Sequence, residues 1–162
     1  MRLGESIEIA APRELVWSYV TEPSNCLHFM SGVTRWEVAG EQRIGLGSRY
    51  RMLIRVGSAE VGGLIEVVEW QAPGDMAWCS VLGVDQRGRW RLRELDDGRT
   101  RVELRYGYGV AGAGISGWIA ELVSAPQLGE HLRRSLHQLK RQVEHERLRS
   151  DVARQRRARS VA

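Results

Sequence analysis

Arg49-Tyr50-Arg51-Met52-Leu53-Ile54-Arg55-Val56 is the stretch from which the fold can be read. Tyr50, Met52, Ile54 and Val56 fall on one side of an extended chain, and Arg49, Arg51, Leu53 and Arg55 on the other. Side chains alternate across a strand with a period of two. Arginines stay in water unless they are paired, so the Tyr-Met-Ile-Val side must point inward. A strand with one wet and one dry face belongs in an antiparallel sheet, and the dry face of that sheet needs a cover.

The same alternation continues in both directions. Upstream, Thr34, Trp36 and Val38 define one face of a strand, and Ile7 and Ile9 alternate with Ser6 and Glu8 in another over Glu5–Ala10. Between them Leu15, Val16, Tyr19 and Val20 recur at helical spacing behind Pro12, which predicts a short helix at about 12–21. A second short helix is predicted over Ser24–Met30. Downstream, Gly57-Ser58 reads as a hairpin turn, and Leu64–Trp70 as a strand closed by Ala72-Pro73-Gly74-Asp75. Met76, Trp78, Ser80 and Leu82 share a face of the next strand. In Gln86–Leu95, Trp90 and Leu92 oppose Arg89, Arg91 and Arg93. Asp96-Asp97-Gly98 is a hairpin signal, and Val102, Leu104, Tyr106 and Tyr108 alternate in the last strand. That makes about seven strands. Gly57, Gly62 and Gly63 are expected where the sheet bulges or bends.

After Ala111-Gly112-Ala113-Gly114 the period becomes helical. Ile115, Trp118, Ile119, Leu122 and Val123 form one stripe, and Leu128, Leu132, Leu136, Leu139 and Val143 extend it. One long helix is predicted at about 114–148, kinked near Pro126 and Gly129. The expected architecture is α+β: a curved antiparallel sheet, two short helices and a long C-terminal helix across the dry face. One helix cannot fill the concavity beside the short helices, so a cavity is expected there. The domain is read as 1–148, with 149–162 a basic, unstructured tail.

Composition narrows the function classes. The 162 residues are 43% hydrophobic and 27% charged, with six tryptophans and one phenylalanine. No apolar run approaches the roughly 20 residues that span a bilayer. The opening Met1-Arg2-Leu3-Gly4-Glu5-Ser6 lacks the apolar stretch of a signal peptide, which makes the cytoplasm the expected location. Cys26 and Cys79 are expected as reduced thiols. His28, His131, His137 and His145 build no metal-ligand pattern, so neither a metal nor a cofactor is expected. Residues 147–162 hold six arginines against one aspartate, which more than accounts for the net charge of +4. The rest is nearly neutral, unlike a nucleic-acid-binding domain with a basic face. The oligomeric state, monomer or homodimer, is left open.

Four stretches in this order resemble the START-like (SRPBCC, helix-grip) superfamily, and within it the polyketide cyclase/dehydrase and lipid-transport group. Ile7-Glu8-Ile9-Ala10-Ala11-Pro12-Arg13-Glu14-Leu15-Val16-Trp17 is similar to that group's opening motif. Val67-Val68-Glu69-Trp70-Gln71-Ala72-Pro73-Gly74 looks like its strand-turn motif, and Asp97-Gly98-Arg99-Thr100-Arg101-Val102 like its hairpin. Leu136-His137-Gln138-Leu139-Lys140-Arg141-Gln142-Val143-Glu144 resembles the end of its last helix. The resemblance spans about 5–146. It implies the helix-grip fold and a small-molecule cavity, but not a particular function, because such folds host carriers, cyclases and sensors.

The inward faces offer Tyr50, Met52, Trp78, Ser80, Trp90, Tyr106 and Tyr108, joined by Trp118 of the helix, as a ligand-binding wall of aromatic, soft and hydroxyl groups. Met52 and Trp90 read more readily as core filling. His28, in the segment expected to cap the cavity, is the candidate general base, set against an ordinary surface histidine. His131, His137 and His145 read as solvated, and Glu66 and Glu69 as a solvent face. The leading expectation is binding or transport of a small apolar or aromatic molecule, lipid-like or polyketide-like, without catalysis. The alternatives are a cyclase or dehydrase acting on such a ligand, and an interaction module using the basic tail. The cyclases of the group use arginines with tyrosines or histidine in the pocket, whereas most arginines here fall on outward positions. No specific nucleic-acid partner is expected.

Overall fold

The computed structural model describes residues 2–108 and 125–161. The elements run β1 (Arg2–Ile9), α1 (Arg13–Thr21), a 3-10 turn (Pro23–Asn25), α2 (Cys26–Phe29), β2 (Val33–Val38), β3 (Arg49–Val56), β4 (Ala59–Gln71), β5 (Asp75–Gly83), β6 (Gln86–Glu94), β7 (Thr100–Tyr108) and α3 (Ala125–Val161). The seven strands form one antiparallel sheet in the order β1-β7-β6-β5-β4-β3-β2. Consecutive strands β2 to β7 are neighbours, and β1 closes the far side by pairing with β7, from Arg2 opposite Gly107 to Ile9 opposite Thr100. This is the α+β helix-grip architecture.

The alternation argument holds in β3. Tyr50 and Met52 are buried, and Arg49, Arg51 and Arg55 are exposed. The inward positions of β6 and β7, Trp90, Leu92, Val102 and Leu104, are all buried. In β5 the inward phase holds through Met76 and Trp78 but runs out at Leu82, which is 67% exposed where the strand leaves the core. The glycines near this end have a steric reason. A Cβ on Gly62 would collide with the Met52 carbonyl oxygen, and one on Gly63 with that of Leu82. The pairing of β4 with β5 shifts between Leu64 and Ile65 and again between Val67 and Glu69, as at bulges.

Helix α3 lies along β1. Leu128, Leu132, Leu136, Leu139 and Val143 are its buried stripe, with Leu139 and Val143 fully inaccessible. Polar contacts fix its register. Glu144 accepts the Ala10 amide at 2.9 Å, Lys140 donates to the Glu8 carbonyl at 2.8 Å, and Arg147 donates to the Ala10 carbonyl. Near the other end the Ser31 amide donates to Ser135 Oγ at 2.8 Å. Pro126 and Gly129, where a kink was expected, both fall inside α3, which runs as one helix from Ala125 to Val161. The stretch 114–124 lies outside the described residues.

Beyond residue 148 the structure differs from the expected unstructured tail: α3 continues to Val161. Gly129 is the last helix breaker in the chain. Past it the segment consists of helix-tolerant residues, and Asp151 pairs with Arg147 at 3.8 Å and with Arg154 at 2.8 Å across single turns. The extension is exposed, Leu148 and Val152 included. No helix among the described residues is long and apolar enough to cross a membrane.

The loop before β3 is tied to α1 by charge. Glu22 accepts from Arg43 at 3.0 Å and from Ser24 Oγ at 2.6 Å, and these bonds, Arg43's first, draw its carboxyl down to about 2 from the usual 4.5. A depressed carboxyl contributes stability that is present above its unfolded pKa and lost as pH falls through the folded one. In Glu22→Gln that contribution should be missing at neutral pH. Urea melts of the two proteins should therefore differ at pH 6 and converge between about pH 4.5 and 2. A constant difference across that range would show that the pair contributes nothing through charge.

Candidate functional site

The concave side divides into a filled part and a polar-lined part. Beside the short helices, Phe29 of α2 meets Trp90 edge-on at 6.0 Å, and Tyr19 lies 5.9 Å from Phe29. Val16, Val20, Cys26 and Met30 are buried around them, as are Met52, Ile65, Val67 and Met76 of the sheet. Here the side chains of α1 and α2 pack against the inner face of the sheet as part of the core. Met52 and Trp90 are core residues. Cys26 is a buried free thiol, with burial pushing its pKa up, and Cys79 is free and half-buried.

Tyr50 lies at the β2–β3 side. Trp36 stacks on it at 5.4 Å, and its hydroxyl donates to the Arg43 carbonyl at 2.6 Å. Burial raises its pKa, so the phenol stays neutral.

The polar-lined part belongs to β5, β6 and β7. Gly88 of β6 stands between Trp78 of β5 and Tyr106 of β7 in the strand register. A Cβ on Gly88 would overlap the Trp78 ring, so only glycine lets the indole lie across β6 at this point. Trp78 is 2% exposed, and its Nε1 has no hydrogen-bond partner among the described residues. Gln86, the next inward residue of β6, is also 2% exposed. The Tyr106 hydroxyl donates to Gln86 Oε1, which leaves Gln86 Nε2 unpartnered. Ser80 is not a free hydroxyl: it accepts the Gln86 amide at 3.1 Å and donates to Asp85 at 3.4 Å, which shapes the β5–β6 turn. Trp118 and the Tyr108 side chain lie outside the described residues.

The wall was legible in phase but not in full. Gln86 escaped the sequence reading, although it shares the inward phase of Trp90 and Leu92, and a polar side chain in that phase was the signal. The histidines sit elsewhere. His28, His137 and His145 are exposed. His131, expected in solvent, is half-buried instead. Its ring packs on Gly32, whose φ of +81° and missing Cβ make room for it, and its Nδ1 lies 3.1 Å from Ser31 Oγ. Burial, with Arg134 nearby, lowers its pKa.

The outer face is an ionic lattice. Glu66 pairs with Arg49 at 2.6 Å, and Glu69 with Arg89 at 2.9 Å. Asp75 is buried beneath Arg89, Arg91 and Arg93. Burial alone would raise its carboxyl, but hydrogen bonds from Arg93 and Arg91 outweigh that and hold it below the usual range. A cleft of about 700 Å³ is lined mostly by outward positions, among them Val68, Ala77, Cys79, Arg87 and Arg105, with Trp78, Gly88 and Tyr106 also at its lining.

The comparisons with known proteins agree with this geometry. No curated protein matches the sequence. The structure of TTHA0849 from Thermus thermophilus superposes with a TM-score of 0.73 at 21% identity, over 88% of this chain and 97% of that one. The Zhui aromatase/cyclase from Streptomyces sp. R1128 gives 0.67 at 20% identity, over 89% and 93%. DynU16, from the dynemicin biosynthetic locus, gives 0.59 at 16%, over 88% of this chain and 47% of that one. At these identities the likeness is one of fold. The family model described as polyketide cyclase / dehydrase and lipid transport matches residues 2–144, nearly the whole sheet and most of the helix that crosses it, and the chain belongs to that family.

Proposed function

We propose that this protein binds a small, largely apolar molecule of lipid-like or polyketide-like character on the concave side of β5–β7. The observation that carries this reading is the composition of that wall. Trp78 and Tyr106 present aromatic surface, Gln86 sits buried beside them, and the described part of α3 packs mainly along β1. Ordinary cores place aliphatic residues at such positions, and binding sites combine apolar walls with a few oriented polar groups. Tyr50, Met52 and Trp90 border or support the site, and Tyr108 and Trp118 are proposed members of its lining. Affinity would come from burial, at about 25 cal/mol per Å² of apolar surface.

A second reading, cyclisation or dehydration of such a ligand, draws on the likeness to the Zhui aromatase/cyclase. It needs an acid or base at the site. The exposed His28, His137 and His145 and the half-buried His131 beside Gly32 are not part of this wall, and the Tyr106 phenol donates to the Gln86 amide oxygen. Binding without chemistry is therefore the better-supported reading. Native mass spectrometry of protein taken from its own host tests it: a retained small apolar mass is expected. As a second test, an apolar fluorescent probe should quench tryptophan emission in the wild type. It should fail to do so in a folded Ser80→Trp variant, which narrows the wall beside Trp78. A probe that binds both proteins equally would place the ligand elsewhere.

We also propose that the folding unit ends near residue 148. Among the described residues the last polar anchor of α3 to the sheet side is Arg147, and after it Leu148 and Val152 stay exposed rather than packing on the domain. Truncation after Arg149 should shift Tm by less than about 2 °C. A larger drop would mean that the extension docks.

A further inference from the structure

The two unpartnered donors on the concave wall ask for an acceptor. Buried N–H groups are almost always hydrogen-bonded, because stripping one of water without replacing the bond is costly. Here Trp78 Nε1 and Gln86 Nε2 are both buried and unpartnered, on adjacent strands around one glycine. Gln86 and Gly88 are neighbouring inward positions, roughly 6–7 Å apart along β6. The Tyr106 hydroxyl fixes the amide by donating to its oxygen, so the NH2 is the end left over. The Ser80 hydroxyl accepts from the Gln86 backbone and donates to Asp85, and neither side-chain donor reaches it.

The charge of the acceptor is also constrained. Arg87, Arg89, Arg91 and Arg93 take the outward phase of β6, alternate to Gln86, Gly88, Trp90 and Leu92. On this part of β6 no cation faces inward to offset a carboxylate, and burying an uncompensated charge is far more costly than burying a carbonyl. We infer that Gln86 and Trp78 form a recognition pair for a neutral carbonyl oxygen on a planar aromatic ligand, with Tyr106 as a positioning residue that orients the Gln86 amide. This rests on the binding reading above and narrows it, setting aryl ketones and related neutral carbonyl compounds ahead of hydrocarbons and free acids.

Tryptophan quenching with 9-fluorenone, fluorene and fluorene-9-carboxylate separates the possibilities. The first two have nearly the same shape and differ at the carbonyl. The wild type should bind fluorenone about tenfold more tightly than fluorene, as one or two gained hydrogen bonds allow, and more tightly than the carboxylate. Gln86→Leu and Trp78→Phe should each reduce that preference, read as the ratio of the two affinities, severalfold. Gln86→Met, close to glutamine in shape and without the NH2, should do the same and guards against misfolding of the leucine variant. Equal affinity for fluorenone and fluorene in the wild type, an unchanged preference in all folded variants, or tighter binding of the carboxylate would each overturn the inference while leaving the binding reading standing. If none of the three compounds binds, the binding reading itself fails.

Discussion

Leu139→Ala is expected to remove about 2–5 kcal/mol from the stability of the fold. Leu139 is fully inaccessible at the middle of the α3 stripe, one turn from Leu136 and one from Val143, which are buried with it. The helix is held to β1 on both sides of this point, by the Ser31–Ser135 bond before it and the Glu8–Lys140 and Ala10–Glu144 bonds after it. Anchored in this way, it cannot slide inward to fill the void, so the substitution should carry both the transfer and the cavity cost. Urea denaturation of wild type and variant measures the difference. A loss below about half a kcal/mol would show that the helix collapses onto the sheet more freely than these anchors allow.

Gly88→Val should cost roughly 3 kcal/mol, at the upper end of the range for overpacking. The new side chain would occupy the space of the Trp78 ring, and that indole is enclosed on its other sides. One of the two must leave the interior. The second readout is optical: an expelled Trp78 should shift tryptophan emission to the red, and binding of an apolar probe should be lost with it. A variant of wild-type stability and emission would show that Trp78 has a second rotamer available and that the glycine is incidental.

Much of the architecture could be read from alternation, because most strands put arginines or glutamates on one face and apolar groups on the other. The β3 face and the α3 stripe are the plainest cases. Four features resisted for separate physical reasons. The inward phase of β5 fails at Leu82 because the register shift opposite Leu64 and Ile65 leaves Val81 as an extra residue in β5, and alternation alone does not locate a bulge. The helical extension past residue 148 was read as unstructured because it has no apolar stripe, but local propensity and one-turn ion pairs can hold a helix without one. The pairing of Gln86 with Tyr106 joins residues 20 apart across two strands, and no local motif announces it. Asp75, at the edge of a turn signal, gave no hint that three arginines from β6 would converge on it.

The pairing of β1 with β7 has a consequence for how the chain is made. Residues near the N-terminus find their partners about a hundred positions later, and the Ala10 amide finds its acceptor at Glu144. At roughly 5–20 residues per second, the first strand leaves the ribosome several seconds before β7 exists. Through that interval Ile7 and Ile9 have no permanent neighbour, and loop closure over such a span is slow. The native sheet can therefore close only near the end of synthesis. A nascent chain arrested before residue 100 should remain sensitive to protease along β1, whereas one released after residue 148 should not.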